Sequence, residues 1–209
     1  GIVPKVVDLK YIYIEINSHV YFNANKIDGA NSVKSTVTET LETYAKSVEL
    51  NKFGARLKYS KLLKQIDDTN SAITSNITTV VMRRDLRPAL NQFADYELCY
   101  GNEFHVRSQG SNIKSTGFFI DGYSGEVFLT DVPNADLKTG VLQLITKKSP
   151  TQVGRVVRPN MGTVDYVKGE IVMDAIRIIN TLVESADTPI IEIQAVPESN
   201  DVIGLQDLY

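Results

Sequence analysis

The chain has 209 residues, 43% of them hydrophobic, and a formal net charge of −3 from 25 acidic and 22 basic side chains. That composition can bury one large core or two small ones and argues against a disordered chain. The near balance of charge argues against a nucleic-acid partner or an anionic membrane held by a general basic field.

No apolar run approaches the roughly 20 residues of a membrane-spanning helix, and no membrane partner is expected. A lone cysteine, Cys99, allows neither an intrachain disulfide nor a cysteine-rich metal cluster. Between Leu98 and Tyr100 in an expected strand, it reads as a buried small hydrophobe, in an intracellular or intravirion setting. The sequence begins with Gly1, without a signal-peptide pattern, and reads as a fragment or a processed chain.

In chain order, residues 9–22 alternate with a period of two. Ile12, Ile14, Ile16, Val20 and Phe22 share one parity, and Tyr11, Tyr13, Glu15 and Asn17 the other. This predicts a half-buried strand, or a hairpin bent near Asn17-Ser18. A polar turn with Asp28-Gly29 follows. Val33, Val37, Leu41, Tyr44 and Val48 then recur at helical spacing, predicting a helix over about 32–52 with Asn31 or Ser32 as its cap. After a break at Phe53-Gly54-Ala55, Tyr59, Leu62, Leu63 and Ile66 predict a second helix over about 60–68, capped by Ser60.

The remainder reads as strands and turns. Ala72 to Arg87 is one long strand, ended by Pro88. Phe93–Tyr100 and Glu103–Ser108 read as a hairpin around Gly101-Asn102. Two stretches, Ile120 to Leu129 and Val164 to Met173, share an apolar residue, Asp, three loop residues, Gly, Glu and an apolar strand. Both read as hairpins in which Asp bonds its downstream backbone and Gly closes the loop at positive φ. Residues 140–148, 152–158 and 170–180 read as strands and 183–189 as a loop. A last strand over about 189–196 precedes an irregular tail tacked down by Leu205 and Leu208.

The fold class expected is α+β: mostly antiparallel sheet and hairpins with a two-helix island near the N-terminus. A helix-plus-sheet subdomain over 1–100 and a hairpin-rich subdomain over 101–209 are expected, the last strand being able to return to the first sheet.

Catalytic patterns are missing from the sequence. Asp121 with Glu126, and Asp165 with Glu170, are carboxylate pairs of the kind that could flank a glycosidic bond, but each fits a turn. His19 and His105 stand alone, and nothing positions Cys99 or a serine beside them for nucleophilic chemistry. No phosphate-binding or dinucleotide glycine pattern and no metal-ligand cluster is present. Arg83, Arg84 and Arg87 form one basic cluster and Arg155 and Arg158 another; each reads as a solvated sheet face or as ion pairing with a neighbouring subunit. No enzyme activity, cofactor, metal or small-molecule substrate is expected.

Several segments stand in a telling order. Ser32-Val33 leads to Leu41-Glu42-Thr43-Tyr44. Gly54-Ala55-Arg56-Leu57-Lys58-Tyr59-Ser60-Lys61-Leu62-Leu63-Lys64-Gln65-Ile66-Asp67 follows, then Ser71-Ala72-Ile73-Thr74-Ser75-Asn76-Ile77. Near the end stand Gly162-Thr163-Val164-Asp165-Tyr166-Val167-Lys168-Gly169-Glu170-Ile171 and Ala195-Val196-Pro197-Glu198-Ser199-Asn200-Asp201-Val202. Over most of residues 10–203 this series resembles the baseplate-J-like family of contractile phage tails. It is most similar to the C-terminal part of the baseplate wedge protein of T-even-like phages.

The resemblance implies a structural protein of the virion, sited in the tail baseplate after assembly in the host cytoplasm. It implies self-association, as a homodimer or ring, and binding to other baseplate wedge proteins. Wedges join around a hub into a ring that rearranges to trigger sheath contraction. The family's protein is longer, which implies a further N-terminal region. The matching positions are packing and turn residues, so no catalytic residue is carried over. A ring component needs interface patches, and Tyr11, Tyr13 or the outer face of the two-helix island is the candidate for self-association. The competing expectation is a tail-associated β-rich module that binds host-surface carbohydrate, with tyrosines stacking on sugar rings.

Overall fold

A computed structural model describes residues 11–52, 54–149 and 152–204. Phe53, Leu205 and Leu208, singled out above, lie outside the described residues. Strand β1 (Tyr13–Phe22) is continuous through Asn17-Ser18. Tyr13, Asn17, His19 and Tyr21 are exposed and the even-numbered residues half-buried, as the period of two requires; Glu15 departs from that alternation and is half-buried.

Helix α1 (Gly29–Ala45) begins earlier than its expected caps, Asn31 and Ser32, which lie within its first turn. Gly29, at φ +86°, makes the sharp entry that only glycine takes without strain, and its N–H bonds Ile27 O at 2.9 Å. The helix ends at Ala45 rather than near residue 52. Ser47 N–H reaches back only three residues, to Tyr44 O, and successive turns carry the chain to Asn51. Val48 therefore leaves the apolar stripe and is 86% exposed, whereas Val33 and Val37 are buried and Leu41 packs beside them.

The two-residue strand β2 (Arg56–Leu57) leads into helix α2 (Tyr59–Asp68), whose Leu62 and Ile66 are fully buried. Their spacing of four puts both on one face, and Ile66 joins Val33 and Val37 in a small core with Val20, Phe22, Ile27 and Ile73 around it. The cap position is Lys58, not Ser60, and Lys58 makes no side-chain cap.

Strand β3 (Ile73–Leu86) ends two residues before Pro88, and β4 (Phe93–Cys99) follows. The expected partner of β4, residues 103–108, is not a strand: Phe104 forms only an isolated bridge with Pro197. Strand β4 pairs instead with a strand some seventy residues later in the chain, Cys99 standing opposite Glu170.

The next strands are β5 (Lys114–Ser115), β6 (Phe118–Ile120), β7 (Phe128–Pro133), β8 (Thr139–Ser149), β9 (Gln152–Arg158) and β10 (Gly162–Asp165). The last are β11 (Glu170–Thr181), β12 (Val183–Ser185), β13 (Thr188–Ala195) and β14 (Val202–Ile203). Residues 183–189, read from the sequence as a loop, are thus mostly strand. Ser185 pairs with Thr188 across a two-residue turn whose Ala186 and Asp187 have φ of 48° and 60°.

A five-stranded sheet runs β1-β3-β13-β12, with β5 also on β13; a seven-stranded sheet runs β4-β11-β10-β8-β7, with β6 on β11 and β9 on β8. Strand β14 pairs with β2. Every strand pair whose register is described is antiparallel, which makes the fold mostly antiparallel sheet with two helices, the α+β class expected.

The chain divides into two compact units. One holds Glu15–Val80 with residues 200–204; the other holds Ile12–Ile14 and Val81–Ser199. The second unit buries Tyr100 against Phe104, edge to face at 5.1 Å, along with Phe118, Leu142, Met173 and Ile193. Its most deeply buried charge, Asp131, accepts the Tyr166 hydroxyl at 2.7 Å and the Ile113 N–H at 2.6 Å.

Candidate interaction surface

Tyr11 and Tyr13 are 60% and 42% exposed, on the parity that the sequence assigns to the outer face of β1. Tyr13 is not loose. The Arg83 guanidinium stacks on its ring, 4.7 Å from the centroid, and Arg83 is itself ion-paired with Asp85 at 3.0 Å and Glu192 at 3.1 Å. A planar cation clamped by two carboxylates gives the ring a fixed backing. Tyr21, 52% exposed, belongs to the same face and was not singled out by the sequence.

The basic clusters are used largely within the fold. Arg84 is buried and donates to the Cys99 carbonyl; burial holds its guanidinium below the ordinary value, with Tyr100 and Cys99 opposing that shift. Arg155 stacks on Tyr123 and donates to its hydroxyl at 3.2 Å, and Arg158 reaches the Asp121 carbonyl at 3.5 Å. These contacts bind guanidinium groups to the protein's own rings and carbonyls, not into an open stripe for phosphates.

The carboxylate pairs are turn elements. Asp165 accepts the Lys168 N–H at 3.0 Å and stands opposite Glu170 at the base of the β10–β11 hairpin, with the Lys168 ammonium 3.9 Å from each. Gly169 closes that turn at φ +69°. In the other stretch the positive φ falls on Gly122, not on Gly125, and Asp121 pairs with Arg177 at 3.5 Å. Only one bridge, Phe118 to Val127, joins the two sides of that turn, because β6 pairs with β11.

His105 Nδ1 lies 2.8 Å from Glu198, and His19 is exposed on β1. Cys99 is half-buried rather than buried, its thiol 3.9 Å from the Glu170 carboxylate. No group of three or more His, Cys, Asp or Glu side chains with metal-binding geometry occurs among the described residues.

One functional contact that sequence reasoning missed organises the first unit. Asp201 accepts the Tyr59 N–H at 2.8 Å and pairs with Arg56 at 3.2 Å. The Tyr59 hydroxyl then donates to the Thr78 carbonyl at 2.6 Å, tying α2 to β3. No local signal announces a cap supplied from 142 positions away.

The architecture defines a class: a β-rich structural domain whose polar side chains hold turns, helix ends and strand pairs in place. Residues 10–85 match the family model described as baseplate structural protein gp6, C-terminal domain III. The matched span covers β1, both helices and nearly all of β3, and agrees with the baseplate wedge resemblance read from the sequence. It supports a structural protein of a phage baseplate. Curated proteins gave no match.

Proposed function

We propose that this chain is a structural component of a phage tail baseplate wedge. It self-associates and joins neighbouring wedges into the baseplate ring that controls sheath contraction, without catalysis and without a cofactor. It is assembled in the host cytoplasm and works in the virion tail beside other wedge proteins. The observation that carries this reading is the match of residues 10–85 to the C-terminal domain III of a baseplate structural protein. The exposed, rigidly backed Tyr13 and its neighbour Tyr11 support a role for β1 in self-association.

Light scattering across a concentration series tests the reading. Mass should rise from monomer towards dimer or ring, and Tyr13→Asp should reduce that rise. A mass that stays monomeric at every concentration, combined with glycan-array binding by the monomer, would replace this reading with carbohydrate recognition.

A further inference from the structure

We propose that β1 pairs edge to edge with β1 of a second copy of this chain, antiparallel, about a twofold axis at Asn17. The inference rests on the self-association reading above and specifies its surface and register.

Three observations carry it. First, β1 stands at the end of its sheet, with β3 on one side and no further strand on the other among the described residues. Ten residues long, it contains no Lys, Pro or Gly and has Glu15 as its one formal charge. Terminal strands that stay monomeric are ordinarily blunted by shortness, charge or proline. The other terminal strands here follow that rule: β12 has three residues, β4 carries Asp95 and Glu97, β7 ends in Pro133, and β9 carries Arg155 and Arg158. Strand β1 does not.

Second, the backbone directions are set. Asn23 N–H bonds Ala72 O at 2.8 Å, and the Asn17 and Tyr21 carbonyls accept from the Thr79 and Thr74 hydroxyls at 3.3 and 3.1 Å. Odd-numbered residues thus turn their backbone groups towards β3, and the alternation of an antiparallel ladder turns those of Ile14, Ile16, Ser18 and Val20 outward. A twofold pair must then match even with even.

Third, the sequence is self-complementary in the register centred on Asn17. Ile14 stands opposite Val20 and Ile16 opposite Ser18 as the hydrogen-bonded pairs. On the odd-numbered face, where Tyr13, Asn17, His19 and Tyr21 are exposed and Glu15 is half-buried, the Glu15 carboxylate meets the imidazole of His19 of the partner subunit, Tyr13 meets the partner's Tyr21, and Asn17 meets the partner's Asn17. Hydrogen-bonded polar pairs and aromatic pairs across strands stabilise a sheet, and the twofold repeats each of them. A register centred on Ser18 would set Glu15 against the partner's Tyr21 and lose both pairings.

The test uses the full chain with Cys99→Ser as background. Asn17→Cys places two thiols at a non-hydrogen-bonded position, about 4.5 Å apart at Cα, within disulfide reach. Mild oxidation should give a covalent dimer, while Ser18→Cys should not. In sedimentation, Glu15→Lys should raise the dimer dissociation constant about tenfold, and Glu15→Lys with His19→Glu should restore it. Circular dichroism confirms folding of each variant. Dimers that neither cross-link through Asn17→Cys nor respond to Glu15→Lys would leave self-association standing and overturn this surface. Cross-linking through Ser18→Cys alone would overturn the register. A chain monomeric at every concentration would overturn both readings.

Discussion

Asp201 caps the helix that begins at Tyr59: its Oδ1 accepts the Tyr59 N–H at 2.8 Å while Oδ2 lies 3.2 Å from Arg56. Lys58, at the cap position, has no side-chain acceptor to offer, so the first orphan N–H of α2 is satisfied from the far end of the chain. Pairing of Val202 with Leu57 fixes the segment that carries Asp201.

Asp201→Ala should therefore destabilise the first unit by about 1 kcal/mol, the usual worth of an N-cap. Asp201→Asn should recover most of that loss, since an amide oxygen can accept the same bond. Urea unfolding of the three chains measures the difference; equal midpoints would show that the cap contributes nothing.

Tyr166 and Asp131 form a buried side-chain pair in the second unit. Tyr166→Phe leaves one oxygen of a buried carboxylate without its donor, at a cost of about 1–3 kcal/mol. Denaturant midpoints for this variant should fall well below those of an exposed control such as Tyr21→Phe.

Alkaline pH should act through the same residue. Burial, then the bond to Asp131 and its charge, push the Tyr166 hydroxyl far above the ordinary tyrosine value, and burial does the same for Tyr100. In both cases the folded protein favours the protonated form. Their contribution is intact below the unfolded value of about 10 and declines as pH rises from there towards the folded value. Stability measured by chemical denaturation should fall above pH ~10, and less steeply in Tyr166→Phe.

Gly140, on β8, lies where a Cβ would come within 2.5 Å of the Tyr166 hydroxyl and 2.9 Å of the Val132 carbonyl oxygen. Gly140→Ala should cost about 1–3 kcal/mol through overpacking. Pairing it with Tyr166→Phe should recover part of the loss, because the nearest atom is gone; a strictly additive double-mutant cycle would count against direct crowding.

Val48 and Val37 separate what helical spacing alone equates. Val48→Asp should change stability by no more than about 0.5 kcal/mol, as at an exposed site. Val37→Asp puts a carboxylate into the core with Val33 and Ile66 and should abolish cooperative unfolding of the first unit in a thermal melt.

The sequence by itself determined the features whose signals are local. The alternation of β1, the buried faces of α1 and α2, the long β3 and the β10–β11 hairpin follow from side-chain period and turn chemistry within a dozen residues or so. The outward placement of Tyr11 and Tyr13 was legible for the same reason. Tertiary structure decided the rest. The end of α1 at Ala45 depends on turns that helical spacing does not encode, and the β12–β13 hairpin turns on Ala186-Asp187 at positive φ without the usual Asn-Gly or Asp-Gly signal. Arg83 and Arg84 looked like a solvated basic patch because their partners, Tyr13, Glu192 and the Cys99 carbonyl, come from other strands. Asp201 looked like a turn residue and is a helix cap. A partner across the fold leaves no trace in local spacing, because burial and hydrogen bonding are satisfied by whichever group the folded chain brings near.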